Sequence, residues 1–257
     1  MKYIFSLLLS FTLIQAQAIQ FFKANEELTV FTISGINLRD QPNGNVITHI
    51  PYGAAVLTLE AKSPLITASF EGIPGAWTKV QFDNKIGYVF DGYLSHLPAP
   101  GLDEANLEMY ARKHFAFQTD SILISLFENS DGNSEDYIQV FQSKWGPIGF
   151  ESSVYYEGGS ESLSIPNMSL EEGYLLVRIL FKEAYKWAKE NEDVIEGFDR
   201  RAYDMLILNG TSSVYLEDGN VKDVMDYYFV DLSGGCYSGI SVLVKKNRLM
   251  IVSSGGC

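Results

Sequence analysis

Between Leu28 and Leu97 the chain is cut into short runs of β-branched and aromatic residues by turn-forming residues, and this punctuation limits the fold more than any other feature. The runs are residues 29–33, 46–48, 55–59, 77–82 and 86–89. Between them stand Gly35, Pro42-Asn43-Gly44, Tyr52-Gly53, Asp83-Asn84 and Asp91-Gly92. Several short strands at such spacing argue a small all-β barrel or sandwich. Gly35 and Gly53 suit backbone positions where φ is positive or a side chain would clash. Asn37 bonds its own backbone in a turn, and strand alternation sends Leu38 inward and Arg39 outward. Asp83-Asn84 closes a hairpin between the strands that carry Trp77 and Gly87. Trp77, Val80, Tyr88 and Val89 are expected mostly in the core.

The motifs that fill these runs occur in a fixed order. They are Gly35-Ile36-Asn37-Leu38-Arg39 with Pro42, then Pro51-Tyr52-Gly53, Trp77-Thr78-Lys79-Val80, Gly87-Tyr88-Val89 and Tyr93-Leu94. Over about residues 27–97 this series resembles a bacterial SH3 (SH3b) domain of cell-envelope proteins. The resemblance implies an SH3-like small barrel that binds cell-wall peptide or glycan, or docks an extracytoplasmic protein. Residues 62–75, with Pro64, Gly72, Ile73 and Pro74, depart from the compact module. They read either as a loop shaping a ligand groove or as an excursion packed by Leu65, Ile66 and Phe70. Tyr52, Phe90 and Tyr93 are the ligand-binding aromatics, although aromatics in small barrels are more often core.

The first residues indicate export. Lys2 precedes an apolar stretch over residues 4–14, and Ala16-Gln17-Ala18 offers small residues at a signal-peptidase spacing. Residues 1–18 therefore read as a cleaved signal, shorter than the roughly 20 apolar residues of a spanning helix, and the mature chain is expected to be periplasmic or secreted with no membrane span. The chain carries a formal charge of −13, and the excess is uneven: 7 acids against 5 bases in residues 19–100, but 25 against 13 in residues 101–257. Such acidity repels phosphate backbones, so nucleic acid is not expected as a partner. It also allows a reading as an acidic inhibitor of a basic enzyme.

Leu97-Pro98-Ala99-Pro100-Gly101 reads as a linker, dividing a barrel at 19–97 from an α+β domain at 102–257 with 98–101 between them. The second domain is expected to hold an antiparallel sheet and one long helix. Residues 102–117 have helical spacing, with Asp103 and Glu104 in the first turn. Residues 121–127 and 137–143 read as strands around an acidic turn at 129–135, whose Asp131-Gly132 signals a hairpin and whose spacing fails a calcium-loop template. The clearest helix opens at Ser169, where Ser169 and Glu172 form a capping box, and runs to about Asn191. Tyr174, Val177, Phe181, Ala184 and Ala188 mark its apolar face, widened by Leu180 and Trp187. Arg178, Lys182, Lys186 and Lys189 form a basic stripe on it.

Residues 237–245 and 248–254 read as a hairpin turning at Lys246-Asn247. This register sets Val242 against Ile251, Val244 against Leu249, and Cys236 against Cys257. The pairs on that face are non-hydrogen-bonded, with a Cα separation of about 4.5 Å that suits a disulfide. Two cysteines opposed in an exported chain are expected to bridge.

No catalytic residue is assigned. Both cysteines stand in Gly-Gly-Cys contexts, no histidine follows His114, and no Gly-x-Ser-x-Gly elbow occurs, which leaves Cys-His and Ser-His-Asp chemistry without support. His49, His96 and His114 read as structural or surface histidines, His114 near a helix C-terminus. A glycosidase needs only two carboxylates, and Glu151, Glu157, Glu161 and Asp204 are the unranked candidates. No metal or cofactor is implied. The leading reading is thus a non-catalytic binding protein, with a carboxylate-pair wall hydrolase as the alternative.

Overall fold

The computed structural model describes residues 22–59, 66–70, 73–118, 122–129, 132–155, 158–182, 224–230 and 237–256. Residues 1–18, read from the sequence as a signal, lie outside them. No helix among the described residues is long and apolar enough to cross a membrane.

The N-terminal strands are β1 Glu27–Val30, β2 Ile36–Arg39, β3 Val46–Ile50, β4 Ala55–Thr58, β5 Thr67–Phe70, β6 Ile73–Phe82, β7 Lys85–Phe90 and, after a 3-10 turn at Asp91–Tyr93, β8 Leu94–Ser95. They pair antiparallel along the path β3-β2-β7-β6-β4-β1-β8, with β5 added beside the first half of β6. Trp77 opposes Phe90, Lys79 opposes Tyr88, and Val80 opposes Gly87, so the two motifs lie on neighbouring strands. The expected barrel closure is not formed by these pairings. β3 and β8 end the path, and β8, only two residues long, offers too short an edge for β3 to close on.

Alternation sorts the side chains as pleating requires. Leu28, Val30, Leu38, Val56, Val80 and Val89 are buried in one cluster, completed by Phe22, Ile36, Ile50 and Leu94. Trp77 is buried as well, but Tyr88, expected in the core, is only half-buried, because it follows Gly87 and precedes Val89 on the opposite face of the strand.

Gly35 and Gly53 both have positive φ, 69° and 74°. A Cβ at Gly35 would lie 2.4 Å from Ile50 O and from the His49 ring, whereas one at Gly53 would find only Ala99 Cβ at 3.8 Å. Gly53→Ala is therefore expected to cost about 1–2 kcal/mol of backbone strain alone. Gly35→Ala adds a clash with a carbonyl that cannot move freely and is expected to cost at least ~1 kcal/mol more. Thermal unfolding of the two variants side by side would check the order, and equal losses would refute the packing argument.

The C-terminal part contains α1 Leu107–His114, β9 Ala116–Phe117, β10 Ile122–Asn129, β11 Gly132–Ser143, β12 Gly146–Tyr155, β13 Gly158–Pro166, α2 Leu170–Leu180, β14 Val224–Val230, β15 Tyr237–Lys245 and β16 Arg248–Gly256. A second antiparallel sheet runs β10-β11-β12-β13-β16-β15-β14, with β9 beside β11. The β10–β11 ladder closes at Asn129 opposite Gly132, so the acidic segment belongs mostly to strands, and Ser130 and Asp131 fall outside the described residues. β15 and β16 pair in the expected register, Val242 with Ile251 and Val244 with Leu249. Lys246 and Asn247 both have positive φ, the conformation of a two-residue hairpin turn matched to strand twist. Cys236 and Cys257 lie outside the described residues.

Both helices are shorter in the described residues than their sequence patterns. α1 begins only at Leu107 because Asn106 caps it, accepting a hydrogen bond from Met109 N, and Glu104 is thereby left outside the helix. α2 carries the Ser169/Glu172 capping box in full and is helical to Leu180, while residues 183–191 are not among those described. Its surroundings differ from expectation. The pattern predicts one apolar face, but Leu170, Gly173, Tyr174, Leu175, Leu176, Val177, Ile179 and Leu180 are all buried. A helix buried on nearly every side is one enclosed by other elements, and α2 contacts β15 and β16 as well as β8 of the first sheet. Gly173 permits the approach: a Cβ there would lie 2.5 Å from Leu249 Cδ1 and 2.6 Å from Val242 Cγ1.

The main core is consequently shared. Phe150, Leu163, Ile251 and Val242 form a cross-strand row on the second sheet. They belong to one buried cluster with Leu107 and Tyr110 of α1, the apolar residues of α2, and Phe31, Ile73, Phe90 and Leu97 of the N-terminal part.

Candidate functional site

Among the described residues, three places concentrate polar or aromatic side chains: the connector between the sheets, the outer face of the first sheet, and the polar edge of the second sheet's inner face.

The connector, read in the sequence as a linker, is bonded at almost every polar position. Glu172 is buried, and its Oε1 accepts from Ser95 Oγ at 3.0 Å and from His96 N at 2.7 Å, while Oε2 accepts from Ser169 N at 3.0 Å. His96 Nδ1 lies 3.0 Å from the same Glu172 Oε1, and its Nε2 lies 3.4 Å from Glu26 Oε2. Ser95 Oγ in turn accepts from Leu97 N. Tyr110 donates to Pro98 O at 2.9 Å and Tyr52 to Pro100 O at 2.6 Å. Gly101 N donates to Glu104 Oε1 at 2.7 Å, and Lys182 Nζ to Leu102 O at 2.8 Å. Glu104 is itself buried and paired with Lys113 Nζ at 2.9 Å and His114 Nε2 at 3.1 Å.

Burial opposes charge on both partners of the first pair, but their mutual contact prevails. The Glu172 hydrogen bond and charge, with Glu26 adding, hold the His96 imidazole above its ordinary range. Hydrogen bonds from His96 and Ser169 hold the Glu172 carboxyl below its own. Burial also raises the Tyr52 and Tyr110 phenols, with the Glu104 carboxylate adding to it.

This arrangement locates the three aromatics singled out from the sequence. Phe90 is buried in the shared core, with its ring edge-to-face against Phe70 at 4.7 Å and Tyr93 at 5.2 Å. Tyr52 and Tyr93 are half-buried and pack on the same core, Tyr52 with its hydroxyl committed to the connector. The three gather at the seam between the sheets. The described part of the 62–75 excursion, residues 66–70 and 73–75, serves that seam too: β5 pairs with β6, Ile73 enters the shared core, and Phe70 covers Phe90 and Trp77, while Pro64, Leu65 and Gly72 lie outside the described residues. Gly75 makes room for it, since a Cβ there would stand 2.7 Å from the Phe90 ring. Asp91 is buried behind this strand pair, accepting from Ala76 N at 2.6 Å and Thr78 Oγ1 at 2.8 Å, with burial holding its carboxyl above the usual range.

On the outer face of the first sheet, registered pairing sets Arg39, Tyr88 and Lys79 in a row across β2, β7 and β6. All three are half-exposed. The next row brings Ile86, Gln81 and Leu57 together, with Ile86 and Leu57 exposed. A tyrosine between two cations, flanked by exposed aliphatics, stands on a protein that is otherwise acidic.

On the second sheet, Tyr137, Ser152, Glu161 and Ser253 form a cross-strand polar row. Glu161 accepts a hydrogen bond from the backbone N–H of Leu107 at the start of α1. Burial raises its carboxyl, and the Glu108 charge adds to the effect. Tyr137 bonds both Ser152 and Glu108, and Glu108 pairs with Arg112 at 2.8 Å. Of the four acids considered from sequence, Glu151 is exposed, Glu161 is in this row, and Glu157 and Asp204 lie outside the described residues. Glu108 was not singled out because it reads as an ordinary first-turn acid of a helix, and only the packing of α1 on β13 brings it to Glu161.

The histidines separate in the same way. His49 is exposed, with Nδ1 3.3 Å from Asn37 Oδ1, whereas His96 and His114 each meet a buried glutamate. The basic stripe of α2 contributes Lys182 to the connector, and Lys186 and Lys189 lie outside the described residues. Among the described residues no group of three or more His, Cys, Asp or Glu side chains is placed to hold a metal ion. No family model, curated protein or solved structure matches the chain.

Proposed function

We propose that this protein is an exported binding protein whose N-terminal sheet is an SH3b-like module that engages cell-wall peptide or glycan, or an extracytoplasmic protein. The observation that carries this reading is the Arg39–Tyr88–Lys79 row on the face turned away from the first sheet's core. A tyrosine ring offers an apolar surface with a polar tip, suited to stacking on a sugar or a peptide bond. The two cations beside it favour a ligand bearing carboxylates, which stem peptides and acidic protein surfaces both supply. The ordered series of motifs between residues 35 and 94 supports the same reading. The aromatics at the seam contribute by holding the sheet in place; Tyr52 and Tyr93 reach the surface only in part.

Sedimentation with purified peptidoglycan tests it. The mature chain is expected to co-sediment, and Tyr88→Ala combined with Lys79→Ala is expected to weaken retention roughly tenfold, a loss of one stacked ring and one charge at an interface centre. No retention of the unsubstituted protein would remove the wall as its ligand.

A hydrolytic reading draws on a different observation, the Glu161/Glu108 pair with Tyr137. A glutamate whose carboxyl burial raises, close to a second carboxyl, is the kind of pairing that glycoside hydrolysis uses. Soluble sugar released from purified wall, and no longer released by Glu161→Gln, is the signature of that activity.

A further inference from the structure

We propose that the connector 95–101 is a proton-operated latch at its His96 end and a fixed anchor at its Gly101 end. Two of the chain's three histidines lie at this connector, and each faces a glutamate whose side chain is no more than 5 % exposed. Each glutamate also accepts a connector backbone N–H, Glu172 from His96 and Glu104 from Gly101. The two ends nevertheless differ in one respect. At the Gly101 end Lys113 lies 2.9 Å from Glu104, so that carboxylate keeps a cationic partner whatever the state of His114.

At the other end no lysine or arginine meets Glu172 among its described contacts. The groups around His96 are Glu172 from α2, Glu26 from the segment before β1, the edge of the Phe22 ring at 5.2 Å, and the Ser95 hydroxyl on the connector itself. Tyr110 from α1 lies within electrostatic reach of Glu172, with its hydroxyl held by Pro98 O. Lys23 meets Glu26 through its backbone N–H, 2.7 Å from Oε2. The imidazolium is therefore the charge that balances two carboxylates, one of them buried. A charge of that kind left unpaired is costly. When His96 loses its proton, Glu172 and Glu26 face one another across a neutral ring that keeps a single N–H for the two of them. The contact between β8 and α2 then weakens, while the Gly101 end stays in place. The two sheets would be locked below the transition and free to shift about the Gly101 end above it.

Backbone amide exchange of the full mature chain, followed by mass spectrometry and corrected for the intrinsic effect of pH, tests this. Protection over residues 94–97 is expected to fall at least tenfold as pH rises through the His96 titration. Peptides from the β15–β16 hairpin should not change, and His96→Gln should flatten the profile. Unchanged protection in the native protein, or the same loss in His96→Gln, would overturn the proposal. If His96→Gln does not fold, the native protein is followed by NMR instead. The His96 ring and the Ser169 amide are then expected to titrate with one midpoint, and independent behaviour would equally overturn it.

Discussion

Glu172→Ala is expected to lower the free energy of unfolding by about 3–5 kcal/mol, the range for removing one member of a buried charged pair. One side chain here serves as N3 of a capping box, as acceptor for the connector's Ser95 and His96, and as counter-charge to an imidazole. Alanine would strand a part-buried backbone N–H at His96 and a buried hydroxyl at Ser95 in addition to uncapping α2. Equilibrium denaturation in guanidinium would measure the loss. A change below about 1 kcal/mol would mean that the connector is not held through this carboxylate.

The same pair sets a pH window for stability. His96 binds its proton more tightly folded than unfolded, so its contribution is complete below the ordinary histidine value of about 6.5 and disappears as pH climbs through the folded value. Glu172 releases its proton more readily folded than unfolded. Its contribution is complete above the ordinary glutamate value of about 4.3 and disappears as pH falls through the lower folded value. Stability from the pair should therefore plateau between these limits and decline on both sides, and His96→Gln should abolish the alkaline decline and lessen the acid one, because His96 is the first of the groups that lower the Glu172 carboxyl. Glu172→Gln should remove its own acid decline and reduce the alkaline one to the part that Glu26 supports, which separates this pair from the many other acids of the chain.

The second large effect concerns the C-terminal hairpin. The described ladder pairs Tyr237 with Gly256; Cys236 and Cys257 lie outside the described residues, and their opposition is what the sequence pattern leads one to expect. We expect the protein recovered from an oxidising compartment to show the mass deficit of two hydrogens, and reduction to cost about 3 kcal/mol for a loop of this length. A double Cys236→Ser, Cys257→Ser variant should unfold at the same midpoint with and without reductant. Two free thiols in protein kept from reductant would end this reading.

Many strand positions, those of β3, β4, β7, β10, β15 and β16 among them, were legible in the sequence because turn chemistry is local, whereas β5, β12, β13 and β14 were not. Gly35, Gly53, Asp83 and the Lys246-Asn247 turn each adopt the positive φ that their residue types or positions imply. The Ser169/Glu172 box likewise needs only four consecutive residues, and a two-residue turn determines the register of β15 on β16 without reference to anything else. Features that depend on distant segments could not be read this way. The 98–101 segment has the composition of a loose linker, and it is held only because Tyr52, Tyr110, Glu104 and Lys182 arrive from elsewhere in the chain. α2 has the pattern of a one-faced helix and is buried on nearly all sides because a second sheet approaches it.

What the sequence by itself determined, then, is a part of the strands, turns and caps, those that follow from the conformational preferences of neighbouring residues; β5, β12, β13, β14 and the Asn106 cap came only with the structure. Only the tertiary structure decided which acids became buried partners of His96 and His114, where the aromatics gathered, and which face of the first sheet was left to solvent. The physical reason is that desolvation and charge pairing depend on three-dimensional distance. Glu172 stands 76 residues from the imidazole it meets, and no local pattern carries that distance.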